Sequence, residues 1–143
     1  MDRGADTHAL ATPDEIRARI RSEHAPISAQ LARVEALTGR VGDGDAQAVI
    51  ALRDELTALG AVLLDHLHYE EYQVPSLTAA DKADRVAEDM RREHRAQRDL
   101  FDRIIRELDE TAVGSSLVVG VRELSRAIRD DMQYEERELL SRP

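Results

Sequence analysis

The chain has 143 residues, a net charge of −9 and no cysteine, which allows one domain with a single hydrophobic core and excludes disulfides, thiolate metal sites and cysteine nucleophiles. The acidic balance, the absence of a basic block and the low aromatic content argue against a nucleic-acid partner. No apolar run is long enough for a signal peptide or a membrane span, so we expect a cytoplasmic protein with no membrane partner.

The first predicted helix begins at a strong capping signal. Thr12 can cap the helix, Pro13 suits its first turn, and Glu15 completes a capping box. Apolar residues then recur at spacings of three and four, and His24 lies inside their stripe, which also contains Ile16, Ile20, Ile27, Leu31 and Val34. We expect the glycines from Gly39 onward to end this helix.

The second predicted helix carries two polar residues in an otherwise apolar stripe. We expect it to begin after Asp45 and to run to about Gln73, with Pro75 ending it. His66 and Glu70 lie one turn apart on the face that also carries Val49, Leu52, Leu56, Leu59 and Leu63. A carboxylate at such a core position must be paired, protonated or bound to a cation.

Two more predicted helices complete an all-α, up-down-up-down four-helix bundle. A turn over residues 76–82 leads to the third helix, which runs to about Glu110 and whose stripe contains Ala87, Met90, His94, Gln97, Phe101, Ile104 and Leu108. A turn over residues 111–116 opens the fourth, whose stripe contains Leu117, Val121, Leu124, Ile128, Asp131 and Glu135. We therefore predict a flexible leader at residues 1–12 and the bundle at residues 13–143.

A weak internal repeat relates the two halves of the chain. Residues 65–71 resemble residues 130–136 at an offset of 65, and the motif R-x-E-H ends at both His24 and His94. His68 and Glu71 point away from the apolar seam under helical geometry, so we expect them on the surface. The implied pseudo-two-fold axis brings six side chains that can bind metal to one level of the core: His24, His66, Glu70, His94, Asp131 and Glu135.

Three imidazoles and three carboxylates without a thiolate favour iron, with manganese or zinc as alternatives. Six donors are too many for one catalytic ion, whereas two ions that share two carboxylates would use them all and keep open positions. We therefore interpret the cluster as a dinuclear iron centre. The alternative is a buried network without metal, in which Arg98 pairs with Asp131 or Glu135 and the histidines bond to carboxylates.

The predicted helix lengths raise a difficulty for His24. About 14 residues separate it from the expected end of the first helix, but about 20 separate the start of the second helix from His66. At about 1.5 Å per residue, the two imidazoles would differ in level by roughly 9 Å. For His24 to join the cluster, either the first helix runs past Gly39 or the beginning of the second helix projects from the bundle.

The pattern resembles the hemerythrin-like (HHE cation-binding) domain family over residues 13–143. The resemblance is carried by one or more residues on each helix, namely His24, then His66, Glu70, Glu71 and Pro75, then His94, then Asp131, Glu135 and Glu136. Such domains are four-helix bundles that use a non-haem di-iron centre for dioxygen binding, peroxide turnover, or the sensing of oxygen or iron. The resemblance implies one iron on His24 and His66, a second on His94 and Asp131, and bridging by Glu70 and Glu135.

Two positions depart from the family pattern. Oxygen-carrying hemerythrins have a second histidine on the third helix at the position of Arg98, and many bacterial members have a histidine at the position of Asp131. Both departures remove a nitrogen ligand. Two Fe(II) ions with three carboxylates have a formal site charge of about +1, and anionic ligands favour the ferric state, so redox turnover ranks above reversible oxygen carriage.

Three functions stay open at this point. The leading one is a di-iron protein that binds dioxygen or peroxide with redox turnover, either as an oxidase of a small metabolite or as a catalase- or peroxidase-like enzyme. The second is an oxygen or iron sensor or carrier. The third is a metal-free helical interaction domain.

Overall fold

The computed structural model describes residues 11–109 and 115–140, which form four long helices and no strand. The helices are α1 (Pro13–Gly42), α2 (Ala46–Gln73), α3 (Ala80–Asp109) and α4 (Ser115–Tyr134). A 3-10 turn, Val74–Leu77, follows α2, and a π-helical turn, Glu135–Leu139, follows α4. The predicted all-α fold is confirmed. Most of the predicted leader, and the residues between α3 and α4, lie outside the described part of the chain.

The helices pack as a closed ring of neighbours. Helix α2 contacts α1 and α3, and α4 contacts α3 and α1, so the first and last helices lie side by side. This arrangement is that of a four-helix bundle with short connections. In the described ranges, no helix is long and apolar enough to cross a membrane.

The start of α1 follows the predicted capping box. The backbone N–H of Glu15 donates to Oγ1 of Thr12 at 3.1 Å, and the backbone N–H of Thr12 donates to a carboxylate oxygen of Glu15 at 2.8 Å. Two of the N–H groups at the start of α1 are therefore satisfied locally. This fixes the register of α1, and with it the level at which His24 enters the core.

Helix α1 runs past Gly39 and ends at Gly42, which removes the difficulty over the level of His24. Eighteen residues now separate His24 from the end of α1, and twenty separate the start of α2 from His66. The difference of two residues corresponds to only about 3 Å along the helix axis. The two imidazole rings accordingly lie with their centroids 5.1 Å apart.

The hydrophobic core is divided into two clusters, with the polar core residues between them. The larger cluster includes Ile27 and Ile104, and the smaller one includes Ile20 and Met90. His24 lies on α1 between Ile20 and Ile27, and the buried histidine of α3 likewise follows Met90. The candidate metal residues therefore occupy a layer that is closed by apolar side chains on both sides.

Gly60 marks a close contact between α2 and α3. A Cβ atom at this position would lie 2.6 Å from Cζ and 2.9 Å from Cε1 of Phe101. We expect Gly60→Ala to lower the free energy of unfolding by about 1–3 kcal/mol, because the aromatic ring must move within a packed core. Denaturant unfolding measures the change.

Gly39→Ala is the matched control for that substitution. It lies in α1, and a Cβ there meets nothing within 4 Å. We expect it to raise the free energy of unfolding by about 0.5–1 kcal/mol through helix propensity alone. Equal stabilities for the two alanine variants would contradict the close packing of Phe101 on Gly60.

Candidate metal centre

All four helices contribute to the buried polar layer. Helix α1 supplies His24 and α3 supplies His94, while α2 and α4 each supply a pair of side chains one turn apart. The pair on α2 is His66 and Glu70, because residues i and i+4 share a helix face. The second pair consists of Asp131 on α4 and Glu135, which is the first residue of the π-helical turn that follows α4.

The structure brings all six predicted residues together in two groups of four. One group contains His24, His66, Glu70 and Glu135, and the other contains Glu70, His94, Asp131 and Glu135. In each group, one donor atom from every residue lies within 4.8 Å of the others. Glu70 and Glu135 belong to both groups, so the arrangement is that of two adjacent sites with two shared carboxylates.

The Nε2 atoms of all three imidazoles face the shared carboxylates. Nε2 of His66 lies 3.0 Å from Oε2 of Glu70, and Nε2 of His24 lies 3.1 Å from Oε1 of Glu135. Nε2 of His94 lies 3.4 Å from Oε1 of Glu70 and 3.3 Å from the Asp131 carboxylate. The nitrogen atoms and the carboxylates thus converge on one small volume.

Several of these atoms are buried without a hydrogen bond. Among the described residues they are Nε2 of His66, Nε2 of His94, both carboxylate oxygens of Glu70, and Oε2 of Glu135. A buried polar atom without a partner costs about 1–3 kcal/mol, so five in one layer need a common explanation. Nitrogen and oxygen donors that converge in this way fit a metal-binding site.

The two shared carboxylates have opposite shifts in pKa. Burial, and then the adjacent Glu70 carboxylate, raise the pKa of Glu135 far above its usual range. Burial acts against ionisation of Glu70 as well, but contacts with Glu135, His24 and His66 hold its pKa below the usual range. The metal-free pair therefore keeps a proton on Glu135 next to an ionised Glu70.

Two of the imidazoles also gain proton affinity. Burial by itself lowers the pKa of His66, but the carboxylates of Glu70 and Glu23 outweigh this effect and raise the pKa. Burial is likewise outweighed at His94, where Asp131 raises the pKa. Because metal ions bind the neutral imidazole and the ionised carboxylate, metal loading must release protons from this layer.

Each imidazole has a second carboxylate on its outer nitrogen. Nδ1 of His66 lies 2.7 Å from Glu23, Nδ1 of His94 lies 2.8 Å from Glu71, and Nδ1 of His24 lies 2.6 Å from Glu136. An Nδ1–H that donates to a carboxylate fixes the tautomer and turns the Nε2 lone pair toward a metal ion. The three outer carboxylates thus orient the three inner nitrogens.

Helical periodicity did not predict the roles of Glu23 and Glu136, and it misplaced Glu71. The predicted surface position of Glu71 is wrong, because its side chain is only 18% exposed and bridges His94 and Arg98. The predicted surface position of His68 is confirmed. A signal for the outer carboxylates was present, since each follows or precedes an inner residue in the sequence: Glu23 before His24, Glu71 after Glu70, and Glu136 after Glu135.

The internal repeat identifies Glu93 as a fourth outer carboxylate, but no imidazole lies at the position that it would orient. Under the internal repeat, Glu93 corresponds to Glu23, and Asp131 occupies the position that corresponds to His66. Burial and the Asp131 carboxylate raise the pKa of Glu93. Asp131 is instead oriented by Gln97, whose Nε2 donates to it at 2.9 Å. The second group of donors therefore has one imidazole fewer than the symmetry of the bundle would provide.

Arg98 does not form the pair that the metal-free alternative requires. Its guanidinium donates to Glu71 at 2.8 Å rather than to Asp131 or Glu135. This contact neutralises the outer carboxylate of His94 and leaves the inner carboxylates without an arginine. The arginine pairing of the metal-free alternative is therefore not observed, although its contacts between histidines and carboxylates are.

Comparison with known families agrees with the geometry of the site. The model of the hemerythrin HHE cation-binding domain matches residues 15–142. Comparisons with curated proteins and with solved structures give no match. The family match spans nearly the whole chain and includes every residue of the two donor groups. The chain therefore belongs to the hemerythrin HHE cation-binding domain family.

Proposed function

We propose that this metal-binding bundle holds two iron ions and binds dioxygen or peroxide with redox turnover. The observation that carries the proposal is the pair of four-residue donor groups that share Glu70 and Glu135. Two shared carboxylates are what a dinuclear centre requires, whereas a single-ion site has no use for them. The absence of thiolate donors favours iron or manganese over a structural zinc site.

In this proposal the residues have distinct roles. His24 and His66 would hold one iron, and His94 and Asp131 would hold the other. When bound, the iron pair would supply two electrons and adjacent open positions for the oxygen atoms of dioxygen or peroxide. The outer carboxylates would fix the imidazoles, and the apolar clusters on both sides of the layer would exclude bulk water.

The charge of the donor set favours redox turnover over reversible carriage. Three inner carboxylates reduce the formal charge of two Fe(II) ions to about +1, and each anionic donor favours the ferric state. Reversible carriage requires that the diferrous state return easily. We therefore place peroxide reduction, or oxygen activation on a small metabolite, above oxygen transport.

The proposal is tested by metal content and chemistry on the full chain. The protein is expressed in iron-supplemented medium and purified in air, and iron, manganese and zinc per chain are measured together with the near-ultraviolet spectrum. We expect about two irons per chain, an absorption band from oxygen-to-iron charge transfer, and, with an added electron donor, consumption of many equivalents of hydrogen peroxide.

Two results would overturn different parts of the proposal. A folded, thermally stable chain without metal would refute the di-iron centre and favour the metal-free network. A chain with two irons that consumes no more than one equivalent of peroxide, although the electron donor is present, would refute turnover and leave binding or sensing.

A further inference from the structure

A cavity of about 210 Å³ lies between α3 and the end of α4. Two of the six inner donors, Asp131 and Glu135, line it. Its apolar wall is formed by Val86 and Met90 of α3 and by Leu139 of the π-helical turn. The cavity therefore joins the protein surface to the donor group that has one imidazole fewer.

The cavity is the route that fits the inner donors best. The donor group of His24 and His66 is fully buried, whereas the Asp131 side chain is 11% exposed. A wider, more open groove between α1 and α4 touches only His24 among the six inner donors, and Glu136 covers Nδ1 of that imidazole. A second groove, lined by Ala96 and Leu100, touches Asp131 alone among the inner donors, whereas the cavity touches both Asp131 and Glu135.

The size of the cavity and the apolar part of its mixed lining favour an organic molecule. A closed apolar cavity of roughly 150 Å³ holds benzene, so about 210 Å³ is far more than hydrogen peroxide or dioxygen needs. Val86, Met90 and Leu139 offer an apolar surface to a hydrocarbon group. Such a wall would contribute nothing to the binding of peroxide alone.

The charges around the cavity disfavour an anionic molecule. Arg92, the one basic residue of the lining, pairs with Asp89 at 2.6 Å. The remaining charged residues of the lining are carboxylic acids, among them Glu93 next to Asp131. An anionic ligand would therefore meet carboxylates without a free cation to bind it.

We propose that this cavity binds the hydrocarbon group of a small, neutral organic hydroperoxide and directs its O–O bond toward Asp131 and Glu135. The proposal rests on the proposed function, because the inner donors must hold a redox metal pair for turnover. The overall conversion is ROOH + 2 H⁺ + 2 e⁻ → ROH + H₂O, in which the O–O bond is cleaved. The two electrons would come from a reduced metal pair bound by the inner donors, an added one-electron donor would restore that pair between turnovers, and the protons would come from solvent.

The test uses the metal-loaded full chain and the alcohol products, which bind without turnover. Calorimetry measures the binding of 2-phenyl-2-propanol, of tert-butanol, and of the para-carboxylate of 2-phenyl-2-propanol. We expect the phenyl alcohol to bind most tightly, since each buried methylene is worth about fourfold in affinity. We expect the carboxylate to bind at least tenfold more weakly than the neutral phenyl alcohol.

Two substitutions fill the cavity, and a third is their control. Val86→Trp and Leu139→Trp each enlarge a side chain of the wall, the first on α3 and the second on the π-helical turn. We expect either one to weaken binding of the phenyl alcohol at least tenfold and to lower kcat/KM for cumene hydroperoxide, relative to that for hydrogen peroxide, by a similar factor. Val119→Trp makes the same change on α4 at a position that is 53% exposed and outside the cavity, and we expect it to leave both quantities unchanged.

The outcomes separate this inference from the proposed function. The cavity would be overturned as the binding site if the phenyl alcohol did not bind detectably, or if it bound equally to the wild-type chain and to both filled variants. Either result would hold even if hydrogen peroxide is consumed. Binding of the carboxylate as tight as that of the neutral alcohol would overturn the preference for neutral ligands. If the filled variants lose alcohol binding but the wild-type chain turns over no peroxide, the redox function is refuted and the cavity is kept as a binding site.

Discussion

Glu70→Ala is expected to reduce the metal content from about two ions per chain to near zero. Glu70 belongs to both donor groups, is fully buried, and contacts Nε2 of His66 and of His94. Its loss removes a shared ligand from both sites at once, and each group would keep only three of its four donors. His66→Ala is expected to abolish stoichiometric binding as well, because its group would keep only His24 and the two shared carboxylates.

The controls for this prediction separate ligation from packing. Glu70→Gln keeps the shape of the side chain and removes its charge, so metal binding should be lost while the metal-free chain still folds. His68→Ala changes an exposed imidazole on the same helix, and we expect its metal content to equal that of the wild-type chain. Metal analysis and circular dichroism on the four variants provide the measurement, and equal metal content in all of them would contradict the assignment of α2.

The helices could be predicted from the sequence because their signals are local. Thr12 and Glu15 identify the start of α1, and the three-and-four spacing of apolar residues identifies the buried face. The same spacing placed His24 and Glu70 in the core, where both are buried. A polar residue in such a stripe can be recognised from the amino-acid order alone, because the stripe itself defines the interior.

The end of α1 could not be predicted in the same way. Gly39 looks like a stop signal, but an interior glycine costs a helix only about 1 kcal/mol, and packing against α2 and α4 outweighs this cost. The turn occurs at Gly44, which has a φ of 93° and is the residue that needs glycine's conformational freedom. Tertiary contacts selected the second of two plausible breaks, and a single sequence does not contain them.

The outer carboxylates were missed because their role depends on the neighbouring helix. Glu71 lies off the seam of α2, but its side chain reaches sideways to His94 on α3. Glu136 reaches His24 from the π-helical turn, where the backbone N–H of Leu140 donates to the carbonyl of Glu135 at 2.8 Å. Helical periodicity describes the faces of one helix, whereas these contacts depend on how two helices are rotated against each other.

The internal repeat gives the site a symmetry that one substitution breaks. Three outer carboxylates each orient an imidazole on an adjacent helix, and Glu93 occupies the fourth equivalent position opposite Asp131. The bundle already has the carboxylate that a histidine at position 131 would need. This predicts that the missing imidazole can be restored by a single change.

Asp131→His is expected to raise the occupancy of the second metal position and to shift the spectrum of the oxidised protein. The new imidazole would add a nitrogen donor opposite His94, and Glu93 could accept a hydrogen bond from its Nδ1–H. Outer carboxylates of this kind typically change metal affinity about 10–100-fold. The substitution also removes one anionic donor, so the formal site charge rises to about +2 and the ferric centre should be easier to reduce.

The comparison variants decide which of these effects is at work. Asp131→Asn removes the charge without adding an imidazole, so it should share the easier reduction but lose metal occupancy. Asp131→His combined with Glu93→Gln keeps the imidazole and weakens its partner, so it should lose most of the gain in affinity. Metal titration, the oxidised spectrum and the reduction midpoint measure the three effects separately. If Asp131→His changes neither the oxidised spectrum nor the metal occupancy, Asp131 lies outside the ligand set. The second metal position would then rest on His94 and the two shared carboxylates alone.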